Sequence, residues 1–176
     1  MQTRSEIFYK SILNSFPIIL LFILVFTGFD LSIFYNLNIS FNFVYILIFF
    51  WVLKKPEIFG FGLIFLSGII NDVNLNFPIG ISSINYLLLC ALASFLRNRT
   101  LIPNLLYDWI FFFISVLIVN STNYSMLTLI FGSNISYEIL MLNTFFTSLV
   151  YPIFAKLFNR INISNLKEEN AKSARQ

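Results

Sequence analysis

Two aspartates stand inside otherwise apolar sequence, and their chemistry is the first feature to consider. Asp30 follows one long apolar run, and Asp72 lies near the end of another. Ionisable groups within a membrane are costly and commonly functional, and paired carboxylates can share a proton in acid–base catalysis. A carboxylate-only membrane enzyme built on Asp30 and Asp72 is therefore conceivable. The competing interpretation is that both residues end helices at a wet membrane surface.

Other catalytic arrangements find little support in the sequence. Histidine is absent and Cys90 is the single cysteine, so a disulfide within the chain and a Cys/His zinc site are both excluded. The lysines flank apolar runs rather than lying inside them, which leaves no Ser–Lys dyad, and no phosphate-binding P-loop sequence occurs. We therefore predict a protein that is not an enzyme and that uses no metal or cofactor.

The composition indicates an integral membrane protein. Of 176 residues, 58% are hydrophobic and 11% are charged, against about 25% charged residues in ordinary soluble domains. The apolar runs are continuous rather than alternating, which favours helices over a barrel. The net charge of +3 comes from short basic clusters beside these runs, a pattern typical of membrane topology signals rather than nucleic-acid binding.

Six apolar segments predict an all-α bundle of about six transmembrane helices. Residues 1–160 form one transmembrane domain in this prediction, and residues 161–176 form a polar, frayed cytoplasmic tail. Pro17 suits a first helical turn, capped by Asn14 or Ser15. The second segment is short, so a re-entrant second segment with five spans is an alternative. The segments run roughly over Pro17–Tyr35, Phe41–Leu53, Ile58–Val73, Ile81–Leu96, Leu105–Val119 and Ile139–Phe158.

The basic residues predict the orientation. All 11 lysines and arginines lie in the N-terminal segment, in the loops after the second and fourth segments, or at the C-terminal end. The loops near 36–40, 74–80 and 120–138 contain none. The positive-inside rule therefore predicts that both termini are cytoplasmic. Trp51 and Trp109 fall at inner helix ends, where aromatic belts lie, and Asp108 could meet Arg97, Arg99 or water at the level of the lipid phosphates there.

The six-span arrangement brings several polar residues to one depth in the outer half of the bundle. The rise of about 1.5 Å per residue puts Asp30 and Asp72 at similar heights. The polar residues at this depth form one of three things: a wet interface, a polar pocket, or a docking site for a partner helix. We name as the outer polar patch Thr27, Asp30, Asn71, Asn85, Asn143 and Thr147, with Asn120 and Thr144 at comparable depth.

Glycines and a proline give the third and fourth segments a defined hairpin. Small residues let helices approach closely in lipid, and Pro followed by Gly shapes a directed turn. The stretch "FGFGLIFLSGIINDVNLNFPIGISSINYLLLCALASFLRNR" resembles the MreD family of bacterial rod-shape-determining membrane proteins. That family shows a Gly-rich apolar helix ending in an aspartate, then a Pro-Leu-Gly-like turn and another apolar helix. The matching positions are Gly60, Gly62, Gly68, Asp72, Pro78 and Gly80.

The resemblance implies a non-catalytic component of the cell-elongation machinery in the bacterial inner (cytoplasmic) membrane. Its implied partners are an MreC-type protein, the MreB cytoskeleton, and the glycan polymerase and transpeptidase that build lateral peptidoglycan. The family is also similar in architecture to the substrate-binding subunits of energy-coupling-factor vitamin transporters, which gives an alternative function. Those subunits often dock their partner through alanines on the first helix, and the first apolar segment here has none.

Overall fold

The computed structural model describes the backbone at residues 4–28, 31–34, 39–99, 104–132 and 136–173, and the side chains at 15–28, 41–99, 104–132 and 136–160. Helices dominate the described chain. A short antiparallel hairpin of two strands joins the first two of them, with Leu31 opposite Phe41. In order, the elements are α1 (Arg4–Thr27), β1 (Leu31–Phe34), β2 (Ile39–Phe41), α2 (Phe43–Lys54), α3 (Phe61–Leu75), α4 (Ile81–Arg99), α5 (Leu105–Ser125) and α6 (Tyr137–Ser173).

Helix α2 is the centre of the bundle. Every residue from Phe43 to Leu53 is buried, because α1, α4 and α6 pack against it and α5 adds aromatic contacts. The Phe49 ring lies 5.1 Å from that of Phe112 on α5 and 5.8 Å from that of Tyr151 on α6. A helix that is apolar all round is expected to be buried. The other helices follow one another around the bundle as α1, α3, α4, α5 and α6, and each packs against the next.

The surrounding helices are apolar on their outer faces as well. Large hydrophobic side chains are exposed along each of them, for example Ile23 on α1, Phe65 on α3, Phe95 on α4, Ile114 on α5 and Phe145 on α6. Within the described residues, three helices are long and apolar enough to cross a membrane, namely Ile81–Arg99, Leu105–Ile130 and Tyr137–Arg160. This helical, apolar-surfaced bundle agrees with the predicted membrane character.

Contacts at the helix ends show that α1 and α3 run in the same direction and that helices consecutive in the chain run in opposite directions. Asn74 near the end of α3 donates to the carbonyl of Val25 near the end of α1, and α4 begins at that same end, which we call the hairpin end. At the other end, Lys54 at the end of α2 pairs with Asp108 at the start of α5. We call this the Lys54 end of the bundle.

The predicted helical fold class is confirmed, but the bounds of the first segment are wrong and a short β-hairpin follows α1. The first apolar segment was predicted to be helical to Tyr35, whereas α1 ends at Thr27 and β1 begins at Leu31. Glycine at 28 with φ +57° ends the helix, since a residue in the left-handed region closes a helical terminus. The predicted start is also wrong, because α1 begins at Arg4 and Pro17 lies inside it.

The last two helices are longer than predicted. A π-helical segment, Met126–Ile130, extends α5. Helix α6 continues without interruption to Ser173, although residues 161–176 were predicted to be a frayed tail. A helix can extend beyond its apolar residues because polar residues such as Lys and Glu are themselves good helix formers.

Candidate functional site

The end of α3 is closed by a Schellman turn at Asn76. The Asn76 backbone has φ +54°, and its N–H donates to the carbonyl of Val73 at 3.4 Å. The Phe77 N–H donates to the carbonyl of Asp72 at 2.9 Å. This pair of bonds satisfies the carbonyls that a helix end leaves free, and it needs a residue that tolerates the left-handed conformation, as Asn does. The turn sends the chain back toward α4.

The Asp72 side chain caps the helix that follows. It is 0% exposed, and its carboxylate accepts two backbone hydrogen bonds, from Gly80 N at 2.7 Å and from Ser82 N at 2.9 Å. Free N–H groups and the helix dipole make the start of α4 a favourable place for a negative charge. Gly80 has φ +107°, a conformation that side chains disfavour. Asp72 therefore serves both helices, because its carbonyl closes the end of α3 and its carboxylate caps the start of α4.

Small and polar residues continue this junction along the two helices. At Gly68 an added Cβ would overlap the backbone of Ser83, so the helices approach each other as closely as their backbones allow. The Ser83 hydroxyl donates to the carbonyl of Phe65 at 2.9 Å, and Asn71 Nδ2 donates to Ser82 Oγ at 2.9 Å. Together with the Asp72 cap, these contacts make the α3–α4 hairpin one rigid unit.

The remaining motif residues have different surroundings. Nothing lies within 4 Å of a Cβ built at Gly60 or Gly62, so neither glycine makes a close contact within this chain. Gly60 precedes the first turn of α3. Pro78 is half-buried in the turn, where its carbonyl accepts from Ile81 N at 3.4 Å. Gly68, Asp72, Pro78 and Gly80 thus shape the hairpin, whereas Gly60 and Gly62 lie on an open surface.

The members of the outer polar patch bond to separate neighbours. Thr27 is exposed and donates to the carbonyl of Ile23 in its own helix, and Asn71 belongs to the α3–α4 junction. Thr147 donates to the carbonyl of Asn143 and accepts from the backbone N–H of Asn42 at 3.1 Å. Asn85 is 2% exposed, and its Oδ1 has no hydrogen-bond partner in the described structure. Asp30 lies outside the described residues.

A second polar junction joins α5 to α6. Asn120 Nδ2 donates to Thr144 Oγ1 at 2.6 Å, and the Thr144 hydroxyl donates to the carbonyl of Leu140. Tyr124 and Tyr137 pack edge to face, 5.1 Å apart, nearer the connection between these helices. Hydrogen bonds of this kind between helices hold a membrane bundle in register. They occupy the donors and acceptors that a polar solute would otherwise use.

The Lys54 end carries an ion pair that the sequence analysis missed. Lys54 Nζ lies 3.0 Å from Asp108 Oδ2, and the side chains are 25% and 6% exposed. The sequence analysis considered Arg97, Arg99 or phosphate-level water as the partner of Asp108, whereas the structure pairs Asp108 with Lys54. The predicted orientation already put Lys54 and Asp108 at the same side of the membrane. The chain order of α2 and α5 alone could not show that the two helices are neighbours.

The two tryptophans at this end differ in exposure. Trp51 was predicted to lie in an aromatic belt, but it is 3% exposed and packs against Phe50 and Phe158 in the core. Its Nε1 has no hydrogen-bond partner in the described structure. Trp109 is partly exposed, and its Nε1 donates to the carbonyl of Ser148 at 2.8 Å. Only Trp109 therefore presents its ring to the surroundings.

The described side chains serve mainly to hold helices together. Asp72 is fully engaged with backbone donors, and within the described residues no group of three or more His, Cys, Asp and Glu residues could hold a metal ion. The pairing of Asp72 with Asp30 stays untested, since Asp30 is outside the described part of the chain. No protein-family model, no curated protein and no solved structure matches this sequence.

Proposed function

We propose that this chain is a non-catalytic membrane component of the bacterial cell-elongation machinery, similar to the MreD family. The observation that carries the proposal is the α3–α4 hairpin. Four of its six motif positions, Gly68, Asp72, Pro78 and Gly80, contribute to one rigid junction between two apolar helices. A membrane scaffold needs such a fixed shape to present helix faces to other proteins.

In this proposal all six helices cross the inner membrane, with both termini in the cytoplasm. Alternating helix directions and the basic residues at the Lys54 end support this orientation. Helix α2 is 12 residues long, or about 18 Å, which is short for a span. Its burial on every side supports a crossing, because a helix enclosed by protein need not match the lipid thickness.

The partners in this proposal are an MreC-type protein, the MreB filament, and the polymerase and transpeptidase of lateral wall synthesis. The exposed apolar faces of α3, α5 and α6 are the surfaces available for contacts with other membrane helices. Gly60 and Gly62 lie on such a face, and no other part of the chain comes within 4 Å of a Cβ built at either glycine. Small residues allow close helix approach in lipid, so this part of α3 is the proposed contact for a partner helix.

A solute-binding subunit of a vitamin transporter is the competing function. A polar solute would need free donors and acceptors in the outer half of the bundle. Asn71, Asn120, Thr144 and Thr147 are instead bonded to other residues of the chain, while Asn85 Oδ1 and Asn123 Oδ1 are two buried acceptors without a partner in the described structure. These internal bonds favour the scaffold over the solute-binding subunit.

The test is identification of the proteins that co-purify with the full chain. A C-terminal tag, mild solubilisation from native membranes and mass spectrometry give a partner list, and an unrelated six-helix protein with the same tag serves as the control. An MreC-type protein together with elongation synthases supports the proposal. Recovery of ATPase subunits with a transmembrane coupling protein would replace it with the transporter function.

A further inference from the structure

Basic residues from separate parts of the chain reach the Lys54 end at similar levels. The rings of Tyr45 on α2 and Tyr86 on α4 are in contact, with centroids 5.9 Å apart, and these two helices run in the same direction. From this contact α2 continues for about 13 Å to Lys54 and α4 for about 16 Å to Arg97. The end of α4 therefore lies close to the level of Lys54.

The basic residues in the apolar part of α6 lie at the same end. The Phe158 ring packs against that of Trp51, with centroids 6.3 Å apart, and Trp51 precedes Lys54 by less than one helical turn. Lys156 and Arg160 stand on either side of Phe158 in the sequence, and both side chains are exposed. We call the basic residues gathered here, apart from Lys54, the cationic cluster: Lys55, Arg97, Arg99, Lys156 and Arg160.

The cationic cluster has no acidic partner in the described part of the chain. One ion pair forms there, between Lys54 and Asp108. Glu57, in the connection between α2 and α3, is exposed and makes no ion pair with a described residue. The guanidinium of Arg99 lies 5.3 Å from the centroid of the Phe95 ring, a cation–π contact that leaves its charge uncompensated. The cluster therefore presents positive charge that an external anion can meet.

Exposed apolar side chains adjoin the cationic cluster on the side toward the hairpin end. Phe95, against which Arg99 packs, is exposed, and so are Ile153 and Leu149, about one and two helical turns before Lys156. A phospholipid meets a membrane protein in this order, with its phosphate at the interface and its acyl chains along the apolar surface. The arrangement of charged and apolar side chains thus matches both parts of a phospholipid.

We propose that the cationic cluster binds the headgroups of anionic phospholipids in the adjacent leaflet. Lysine and arginine at a membrane surface attract anionic lipid, and basic groups beside membrane helices hold phosphate headgroups. An acidic soluble protein would match the charges but would leave the adjoining apolar side chains uncovered, which favours a lipid as the partner. The inference rests on insertion of the chain in a membrane, which is part of the proposed function. It holds for either orientation of the bundle, and it does not depend on which proteins bind.

Trp109 is an intrinsic reporter beside the cationic cluster. The chain has two tryptophans, of which Trp109 is 37% exposed and Trp51 is 3% exposed in the core. Trp109 Nε1 donates to the carbonyl of Ser148, about two turns before Lys156, so its ring lies on the membrane side of the cluster. Lipids with bromine atoms on their acyl chains quench a tryptophan that they touch. A Trp51→Phe variant of the full chain therefore reports the lipids around Trp109 alone.

The test compares two brominated lipids in vesicles that contain this variant. Brominated phosphatidylglycerol or brominated phosphatidylcholine replaces increasing fractions of unlabelled phosphatidylcholine, and the two quenching curves give the relative association constant of the lipids at Trp109. We expect phosphatidylglycerol to associate at least about threefold more strongly in dilute buffer, because the unpaired cations attract its charge. In about 1 M NaCl this preference should disappear, since the Debye length falls to about 3 Å.

Matched pairs of substitutions test whether the cluster, rather than the total charge, selects the lipid. Lys156→Gln with Arg160→Gln removes two exposed cations beside Trp109 and is expected to lower the preference at least about twofold. Lys167→Gln with Lys172→Gln removes the same charge from the part of α6 that continues about 10–18 Å beyond Arg160. This control pair is expected to keep the preference of the parent chain.

Equal association of the two lipids with the parent chain in dilute buffer would overturn the inference. An equal loss of preference in both double variants would overturn it as well, by showing an effect of total charge. If neither brominated lipid quenches Trp109, lipid does not reach this surface and the inference fails, while co-purification decides the scaffold function separately. If phosphatidylglycerol is preferred and no elongation proteins co-purify, the lipid site stands and the scaffold function fails.

Discussion

A carboxylate with no exposed surface has to be matched by donors, and at Asp72 the donors are backbone N–H groups. The Gly80 and Ser82 amides would otherwise be unpaired at the start of α4, in a region where lipid offers no hydrogen bonds. The aspartate in an apolar sequence is thus explained by helix capping. Its position near the end of α3 is required, because only there can one residue serve both helices.

Replacing Asp72 should destabilise the hairpin in a graded way. Asp72→Asn keeps one acceptor but turns an amide NH₂ toward a backbone donor, with an expected loss of about 1–2 kcal/mol, and Asp72→Ala leaves two donors unpaired, with a loss of about 2–4 kcal/mol. Unfolding in a detergent–denaturant titration measures both. The control Glu57→Gln, at an exposed site, should change stability by less than about 0.5 kcal/mol. Equal stability of Asp72→Ala and the parent chain would refute the capping role.

Two glycines of α3 should respond oppositely to the same change. Gly68→Ala places a methyl group against the Ser83 backbone, which cannot yield as a flexible side chain would, so we expect a loss of about 1–3 kcal/mol. Gly62→Ala meets open space in the same helix and should gain up to about 1 kcal/mol from helix propensity. Thermal unfolding in one detergent compares the pair directly. A stable Gly68→Ala variant would mean that the two helices lie farther apart than the structure shows.

At the scale of elements, the hairpin of α3 and α4 was the best predicted part of the chain, whereas the central position of α2 was not predicted although its bounds were. The hairpin carries local signals, since glycine, proline and asparagine report backbone conformation wherever they occur. Helix α2, with the sequence "FVYILIFFWVLK", is apolar on all sides. In a membrane both lipid and protein interior are apolar, so that sequence cannot distinguish a central helix from a lipid-facing one.

The β-hairpin between α1 and α2 shows a related limit. Its strands are four and three residues long, and they follow directly on an apolar helical run. Serine alternates with apolar residues in "LSIF" and "ISF", which is the strand signal that the sequence offered. Runs of this length are ambiguous, because helix and strand periods differ clearly only over longer windows.

The ion pair between α2 and α5 should be asymmetric in its energetics. Lys54→Met leaves the nearly buried Asp108 carboxylate without its partner, so we expect a loss of roughly 2–4 kcal/mol. Asp108→Asn should cost less, because the Lys54 ammonium is a quarter exposed and can reach water. The double variant Lys54→Met/Asp108→Leu should recover part of the loss. A double-mutant cycle of unfolding free energies measures this, and additive losses would exclude coupling between the two residues.

For the whole molecule, the contacts at the helix ends bring basic residues from separate parts of the chain to one end of the bundle. The hairpin end joins α1, α3 and α4, and the loops that the sequence analysis predicted to be outside carry no basic residue. The Lys54 end holds Lys54, Lys55, Arg97 and Arg99. Packing thus brings together the basic residues that the positive-inside rule assigns to one side of the membrane in the proposed six-span arrangement.

The orientation predicts opposite locations for two reporter fusions. A fusion after Asn134, in the connection between α5 and α6, should be periplasmic, and one after Lys167 should be cytoplasmic, because α6 crosses the membrane between them. Alkaline phosphatase and green fluorescent protein at each site give complementary signals, since each is active on only one side. Fusions after Lys55 and Asn98 are matched controls at the Lys54 end and should both be cytoplasmic. If the Asn134 and Lys167 fusions report the same side, α6 does not cross the membrane, and the six-span arrangement is wrong. If instead the Lys55 and Asn98 fusions are periplasmic and the Asn134 fusion is cytoplasmic, α2 does not complete a crossing, and its central position reflects burial in the bundle without a span.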